Sequence, residues 1–179
     1  MLKLTIPKRR LLNEKTNEIY TVKEQTIVLE HSLVSISKWE STWCKPFLSS
    51  EKKSLEEIRD YVRCMTLTQN VDPLTYFCLT ADNFDEINKY INTEQTATTF
   101  RKEEQAHKKE IITSELMYFW MINYGIPFEC AKWHLSRLIA LVRICQIKMQ
   151  PSKQMGKNAI LNQNAKLNAQ RRSLLHTKG

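Results

Sequence analysis

The stretch TIVLEHSLVSISKWESTWCKP, residues 26–46, contains the change of rhythm on which the fold turns. From Thr26 to Leu29 the residues are β-branched or apolar, whereas beyond Ser32 the apolar positions Leu33, Ile36, Trp39 and Trp43 recur every three or four residues. The first pattern suits a strand and the second suits one face of a helix. Ser32 is placed to cap that helix. Lys45-Pro46 stops it, because the residue before a proline is pushed out of helical geometry. Strand precedes this point and helix follows it.

Upstream, Leu2, Leu4 and Ile6 alternate with Lys3 and Thr5 as far as Pro7, and Glu18 to Val22 alternates again after the polar turn 13–17. A small antiparallel β unit of two or three strands is expected over residues 1–31. Strand pairs are marginal alone, so it must lean on the helices that follow. Downstream, Ser54 and Glu57 form a capping-box pattern for a helix through Leu55, Ile58, Tyr61, Val62 and Met65. Asp72-Pro73 reads as the start of a helix over Leu74, Phe77 and Cys78, with proline in the first turn. A further short helix follows Ala81-Asp82, with Phe84, Ile87, Tyr90 and Ile91 on one side.

Residues 92–108 are polar and lack a sustained period, which predicts a loop. Glu110 to Tyr124 is the densest apolar run and ends at Gly125 and Pro127. Being apolar nearly all round, it is expected to be the most buried helix. Phe128 to Met149 predicts the longest amphipathic helix, with Trp133, Leu135, Leu138, Ile139, Val142, Cys145 and Ile147 inward and Arg137 and Arg143 outward. The expected class is α+β and predominantly helical: a small N-terminal antiparallel β unit packed on a five- to six-helix bundle, with a basic C-terminal helix. Residues 1–150 form the globular domain (1–31 β unit, 32–150 helical) and residues 151–179 a basic tail.

Composition supports one domain with an appendage. The chain has 179 residues, and an apolar share of 42% suffices for a core. Its three glycines, Gly125, Gly156 and Gly179, leave few positive-φ positions for hairpin-rich sandwiches or phosphate-cradling loops. The cysteines Cys44, Cys64, Cys78, Cys130 and Cys145 are odd in number and show no Cys-x-x-Cys spacing, so buried free thiols in a reducing compartment are expected. No run of about eighteen apolar residues occurs, and the N-terminus lacks the apolar core of a signal peptide. The expectation is a protein that neither crosses a membrane nor enters the secretory route.

Charge is distributed unevenly. The net charge is +8, yet residues 1–147 sum to about +1; Lys148, Lys153, Lys157, Lys166, Arg171, Arg172 and Lys178 follow with no acidic residue among them. In this tail Ile160, Leu167 and Leu174 recur every seventh residue. A buried aliphatic side chain contributes roughly 1.5–3 kcal/mol, against about 1–2 kcal/mol to order each residue's backbone. The tail is therefore expected to be frayed alone and helical on a partner. Docking on a helical partner is the leading reading. Phosphate neutralisation on nucleic acid comes second, and a solubilising appendage is the remaining alternative.

Catalytic patterns are weak. His31, His107, His134 and His176 are not spaced as metal ligands, and the Glu56-Glu57 and Glu103-Glu104 pairs are adjacent rather than convergent. No Gly-x-Ser-x-Gly or phosphate-loop motif occurs. Structural or solvent-facing histidines, solvated carboxylates, and no catalytic residue, metal or cofactor are expected. The rings of Trp39, Trp43, Tyr118, Phe119, Trp120, Tyr124 and Trp133 recur among aliphatic residues and are read as core rather than as a base-stacking platform.

Several blocks carry a resemblance: Leu2-Lys-Leu-Thr-Ile-Pro7, Leu29-Glu-His-Ser-Leu-Val-Ser-Ile-Ser-Lys-Trp-Glu-Ser41, Lys45-Pro-Phe-Leu48, Tyr61-Val-Arg-Cys-Met-Thr-Leu-Thr-Gln-Asn-Val-Asp-Pro73, Glu110-Ile-Ile-Thr-Ser-Glu-Leu116, Ile126-Pro-Phe-Glu-Cys130, Lys132-Trp-His-Leu-Ser-Arg-Leu138 and the ending from Leu167 to Gly179. On these the chain resembles, over its whole length, a family of small proteins from the structural gene cassettes of long-tailed bacteriophages. The resemblance implies a non-enzymatic tail assembly chaperone that coats the tape measure protein and helps gather tail tube subunits. It also implies a place in the host cytoplasm and absence from the mature virion. A head–tail connector or other minor virion protein is the alternative within that setting, and a nucleic-acid binder using the tail is the rival class. The family pattern has Ser where this chain has Gly156, and glycine loosens the start of a helix by up to about 1 kcal/mol. The partner-binding residues are taken to be Ile160, Leu167, Arg171, Arg172 and Leu174.

Overall fold

The computed structural model describes residues 1–13, 17–100, 111–149 and 157–175. The expectations for 101–108, His107, His176 and Gly156 lie outside them. The fold is α+β and predominantly helical. The chain divides into two compact units, Met1–Cys145 and Gln146–Gly179.

The first unit opens with strands β1 (Leu2–Ile6), β2 (Arg9–Asn13), β3 (Glu18–Val22) and β4 (Gln25–Leu29). Among the described residues there are four strands where two or three are expected, paired antiparallel as β1 with β4 and β2 with β3. Leu2 lies opposite Leu29 and Arg9 opposite Val22, so both pairs keep one register and form a single ribbon. The ribbon breaks at Pro7, which has no N–H to give to a ladder. At its base Leu4, Ile6, Ile27 and Leu29 are fully buried. Beyond the break the side of opposite parity turns inward, and Val22 is buried where β3 meets the segment Pro73–Cys78. Near the tip, Asn17 takes a left-handed conformation, which asparagine tolerates.

The free edge of β4 is covered. Leu67 donates its N–H to the Val28 carbonyl at 2.8 Å, Val28 donates to Thr68 Oγ1 at 2.9 Å, and Glu30 donates to the Met65 carbonyl at 2.9 Å. On the other edge, Asn83 Nδ2 donates to the Thr5 carbonyl at 3.3 Å. The strands expected to lean on helices are thus hydrogen-bonded to them on both sides.

Helix α1 (Leu33–Trp43) is the hub, packed on α2 (Leu55–Met65), on α4 (Ser114–Asn123) and on the 3₁₀ helix Phe128–Lys132. Its apolar face buries Leu33, Ile36 and Trp39. Ser32 caps it as expected, with its hydroxyl accepting from the Ser35 N–H at 3.3 Å. It ends at Cys44, which is left-handed and donates to the Glu40 carbonyl at 2.8 Å. Cys44 is exposed at that end and Cys145 is half-buried, whereas Cys64, Cys78 and Cys130 are buried thiols. The capping box of α2 is present in both directions: Ser54 donates to Glu57 Oε2 at 2.6 Å and Glu57 donates back to Ser54 Oγ at 3.2 Å. The helix at Asp72-Pro73 is a 3₁₀ helix, Pro73–Cys78, with Asp72 Oδ1 accepting from Leu74 N–H at 2.9 Å. Helix α3 (Ala81–Asn92) follows, capped by Thr80.

Two helical expectations are corrected. Of the run expected from Glu110, the described part from Ile111 becomes helical only at Ser114, where the Thr113 hydroxyl accepts from Leu116 N–H at 3.4 Å and Glu40 Oε2 accepts from Ser114 N–H at 2.7 Å. The stretch from Phe128 to Met149 is not one helix. It divides into the 3₁₀ helix Phe128–Lys132 and α5 (Leu135–Met149), because His134 runs extended to bridge Ser32, and Leu135 donates its N–H to the His31 carbonyl at 2.8 Å. The longest described helix is instead α6 (Lys157–Leu175) in the second unit.

Candidate functional site

Helix α6 carries the residues assigned to partner binding. Leu167 is 42% exposed and Leu174 80% exposed, and Arg171 and Arg172 are exposed with them. Ile160 lies in the first turns of α6, and its side chain is outside the described set. At 100° per residue, positions 160, 167 and 174 drift by only about 20° per step and stay on one stripe. Arg171, four residues after Leu167 and three before Leu174, shares that stripe. Arg172 points to another flank. No acidic residue occurs in α6.

A second candidate is a buried polar node where β4 passes into α1. His31 and His134 are 4% and 3% exposed, and their rings meet edge-on with centroids 5.3 Å apart. His31 Nδ1 is 2.5 Å from the Tyr61 hydroxyl on α2. The His134 ring meets Tyr90 of α3 edge-on at 5.1 Å, and the Tyr90 hydroxyl donates to Glu30 Oε1 at 2.7 Å. The α-amino group of Met1 lies 3.2 Å from the other Glu30 oxygen. His134 Nδ1 lies 2.8 Å from the Ser136 hydroxyl and 3.3 Å from the Ser136 backbone nitrogen.

This environment holds both rings neutral. Burial, then the charge of His134, brings the pKa of His31 down from 6.5 to about 4. Burial also lowers that of His134, opposed by the Glu30 carboxylate and the Tyr90 carbonyl. The Tyr61 hydroxyl is pushed far up by burial, and Tyr90 upward by burial and then by Glu30. Cys64 rises to about 11 by burial first and by Asp60 second, which makes its thiol unreactive. Groups closed to solvent and held in these states act as ties between β4, α1, α2, α3 and the start of α5. Among the described residues, no group of three or more His, Cys, Asp or Glu is placed to hold a metal ion. None of the described helices is long and apolar enough to cross a membrane.

The surface of α4 departs from the expectation of a fully buried helix. Met117 and Met121 face the core, but Phe119 is 59% and Ile122 66% exposed. Glu115, Phe119 and Ile122 follow helical spacing along one outer stripe, beside Tyr118, whose ring lies 6.2 Å from the exposed Phe128. On α5, Leu135, Leu138 and Val142 are buried, while Ile139 and Ile147 are exposed rather than packed. Trp133, just before α5, is partly exposed and is covered on one side by the Arg137 guanidinium, 4.6 Å from its ring. These two residues line an open groove of about 430 Å³ with Gln95, Thr96 and Leu141. Of the aromatic residues read as core, Trp39 is fully buried and Trp43, Tyr118, Trp120 and Tyr124 pack partly buried against the core, whereas Phe119 and Trp133 do not.

Sequence reasoning missed the node and the α4 stripe. The node joins residues about a hundred positions apart, and nothing local in Glu30-His31 or Trp133-His134 announces that they meet. The α4 stripe had one signal: Glu115 falls in register with Phe119 and Ile122. No protein-family model, curated protein or solved structure matches the chain.

Proposed function

We propose that this chain is a bacteriophage assembly protein, a tail assembly chaperone that holds the tape measure protein in the host cytoplasm and leaves before the particle is complete. The observation that carries the reading is α6: a helix of 19 residues without an acidic side chain that presents Leu167, Arg171 and Leu174 on one exposed stripe. Such a helix suits a long helical client, which supplies an apolar edge for the leucines and carboxylates for the arginines. The resemblance to phage structural-cassette proteins names the client class. The Met1–Cys145 unit serves in this reading as the body that carries the gripping helix, and no catalytic step is assigned to it.

Co-expression with the tape measure protein of the same phage tests the proposal. The full chain is expected to retain the client through purification, and a chain ending at Pro151 is expected to lose it. Full retention by the truncated chain overturns the reading. Purified particles should lack the protein by mass spectrometry; its presence there favours a connector or minor virion component. A salt titration on random duplex DNA addresses the nucleic-acid reading, since phosphate neutralisation requires a log–log slope of several units.

A further inference from the structure

The outer face of α4 and the stripe of α6 are opposite in charge and alike in exposing apolar side chains. From Ile111 to Ala131 the only charged residues are Glu115 and Glu129, both exposed. In sequence they bracket Phe119, Ile122 and Phe128, each more than half exposed, with Phe128 beside Tyr118 of α4. α6 has the inverse character: exposed Leu167 and Leu174 with Arg171 between them, and no carboxylate. The two leucines are about 10 Å apart along the helix, within the roughly 15 Å length of α4. Isolated exposed apolar residues are ordinary, but contiguous aromatic and aliphatic residues with a charged rim mark an interaction surface.

We propose that the α4 face receives α6 of a second copy of this chain, with Leu167 and Leu174 seated on Phe119, Ile122 and Phe128 and with Arg171, on the same stripe, turned to the carboxylates of Glu115 and Glu129. A chain that bears both halves of a complementary pair is matched to itself. Two copies related by a twofold axis make the contact twice and close the assembly. The contact covers the leucines of α6 until a competing helix displaces it. The inference rests on the α4 and α6 surfaces alone and stands independently of the phage reading.

Sedimentation equilibrium on the full chain across a hundredfold range of concentration tests it. The expected result is a monomer–dimer equilibrium that weakens with salt. The charge-reversed variants Glu115→Lys/Glu129→Lys and Arg171→Glu should each dimerise at least tenfold more weakly. An equimolar mixture of the two should recover the dimer, because each copy then meets an opposite charge at both contacts. Phe119→Ser, at a position already exposed, should weaken the dimer while leaving the melting temperature of the dilute, monomeric chain unchanged. A monomer at every concentration overturns the proposal, as does a dimer indifferent to all these variants. Weakening by both charge reversals without recovery in the mixture also overturns it, since the two surfaces then do not face one another.

Discussion

At the scale of single residues, two buried polar side chains tie the first unit together. Both Glu40 oxygens accept a backbone N–H, from Phe47 at 2.7 Å and from Ser114 at 2.7 Å, so one carboxylate holds the turn after α1 and the start of α4. Glu40→Gln keeps one acceptor and turns an amide N–H toward a backbone N–H. The expected loss is about 2–3 kcal/mol, read as a lower urea midpoint at unchanged slope; a loss under about 0.5 kcal/mol would refute the bridging role. His31 contributes a dependence on pH. Its neutral form is favoured in the fold, with a pKa near 4 against 6.5 unfolded, so the unfolded chain binds the proton first as pH falls. Stability is therefore complete above pH 6.5 and declines as pH falls toward 4, by about 3 kcal/mol for this group. His31→Asn leaves an acceptor for Tyr61 and removes the titration. Urea midpoints at pH 7, 5.5 and 4.5 should fall less steeply in that variant, and parallel curves for the two proteins would rule out His31 as the source.

At the scale of elements, helix ends are readable and helix faces less so. The Ser32 and Ser54 caps and Asp72 before Pro73 are local events in which a side chain meets a backbone group two or three residues away, and the stop at Gly125, whose φ is +63°, is a local backbone event. Sequence alone is enough to place them. The orientation of α4 is different: a helix apolar on all sides carries no internal sign of which side meets the core, so Met121 and Ile122 are indistinguishable until α1 is in place. Their energetic separation is a direct check. Met121→Ala empties a fully buried position and should cost about 3 kcal/mol, whereas Ile122→Ala, at concentrations where the chain is monomeric, should stay within about 0.5 kcal/mol of the parent chain. Equal losses in chemical denaturation would mean that Ile122 is buried in solution. The break at His134 was illegible for a related reason: a periodic sequence continues through it, and only the nonlocal pairing with Ser32 takes the chain out of helix.

At the scale of the whole molecule, core and charge occupy different parts of the chain. The buried apolar cluster runs from Leu4 to Val142. A body of about 145 residues has enough apolar surface to fold as one unit, so the material that sets the melting temperature precedes the tail. Most of the net charge follows it. Removing residues 152–179 takes the chain from +8 to about +2 while leaving every member of the core in place. Stability and solubility should therefore separate: at concentrations where the full chain is monomeric, the truncated chain should keep its urea midpoint and slope, yet precipitate at lower concentration near neutral pH, because mutual repulsion between molecules is largely lost. Added salt should narrow the solubility gap by screening the repulsion that protects the full chain. A truncated chain that unfolds at lower urea would show that α6 supports the fold as well as carrying the charge, and α6 would then not be free to grip a client without cost to the body.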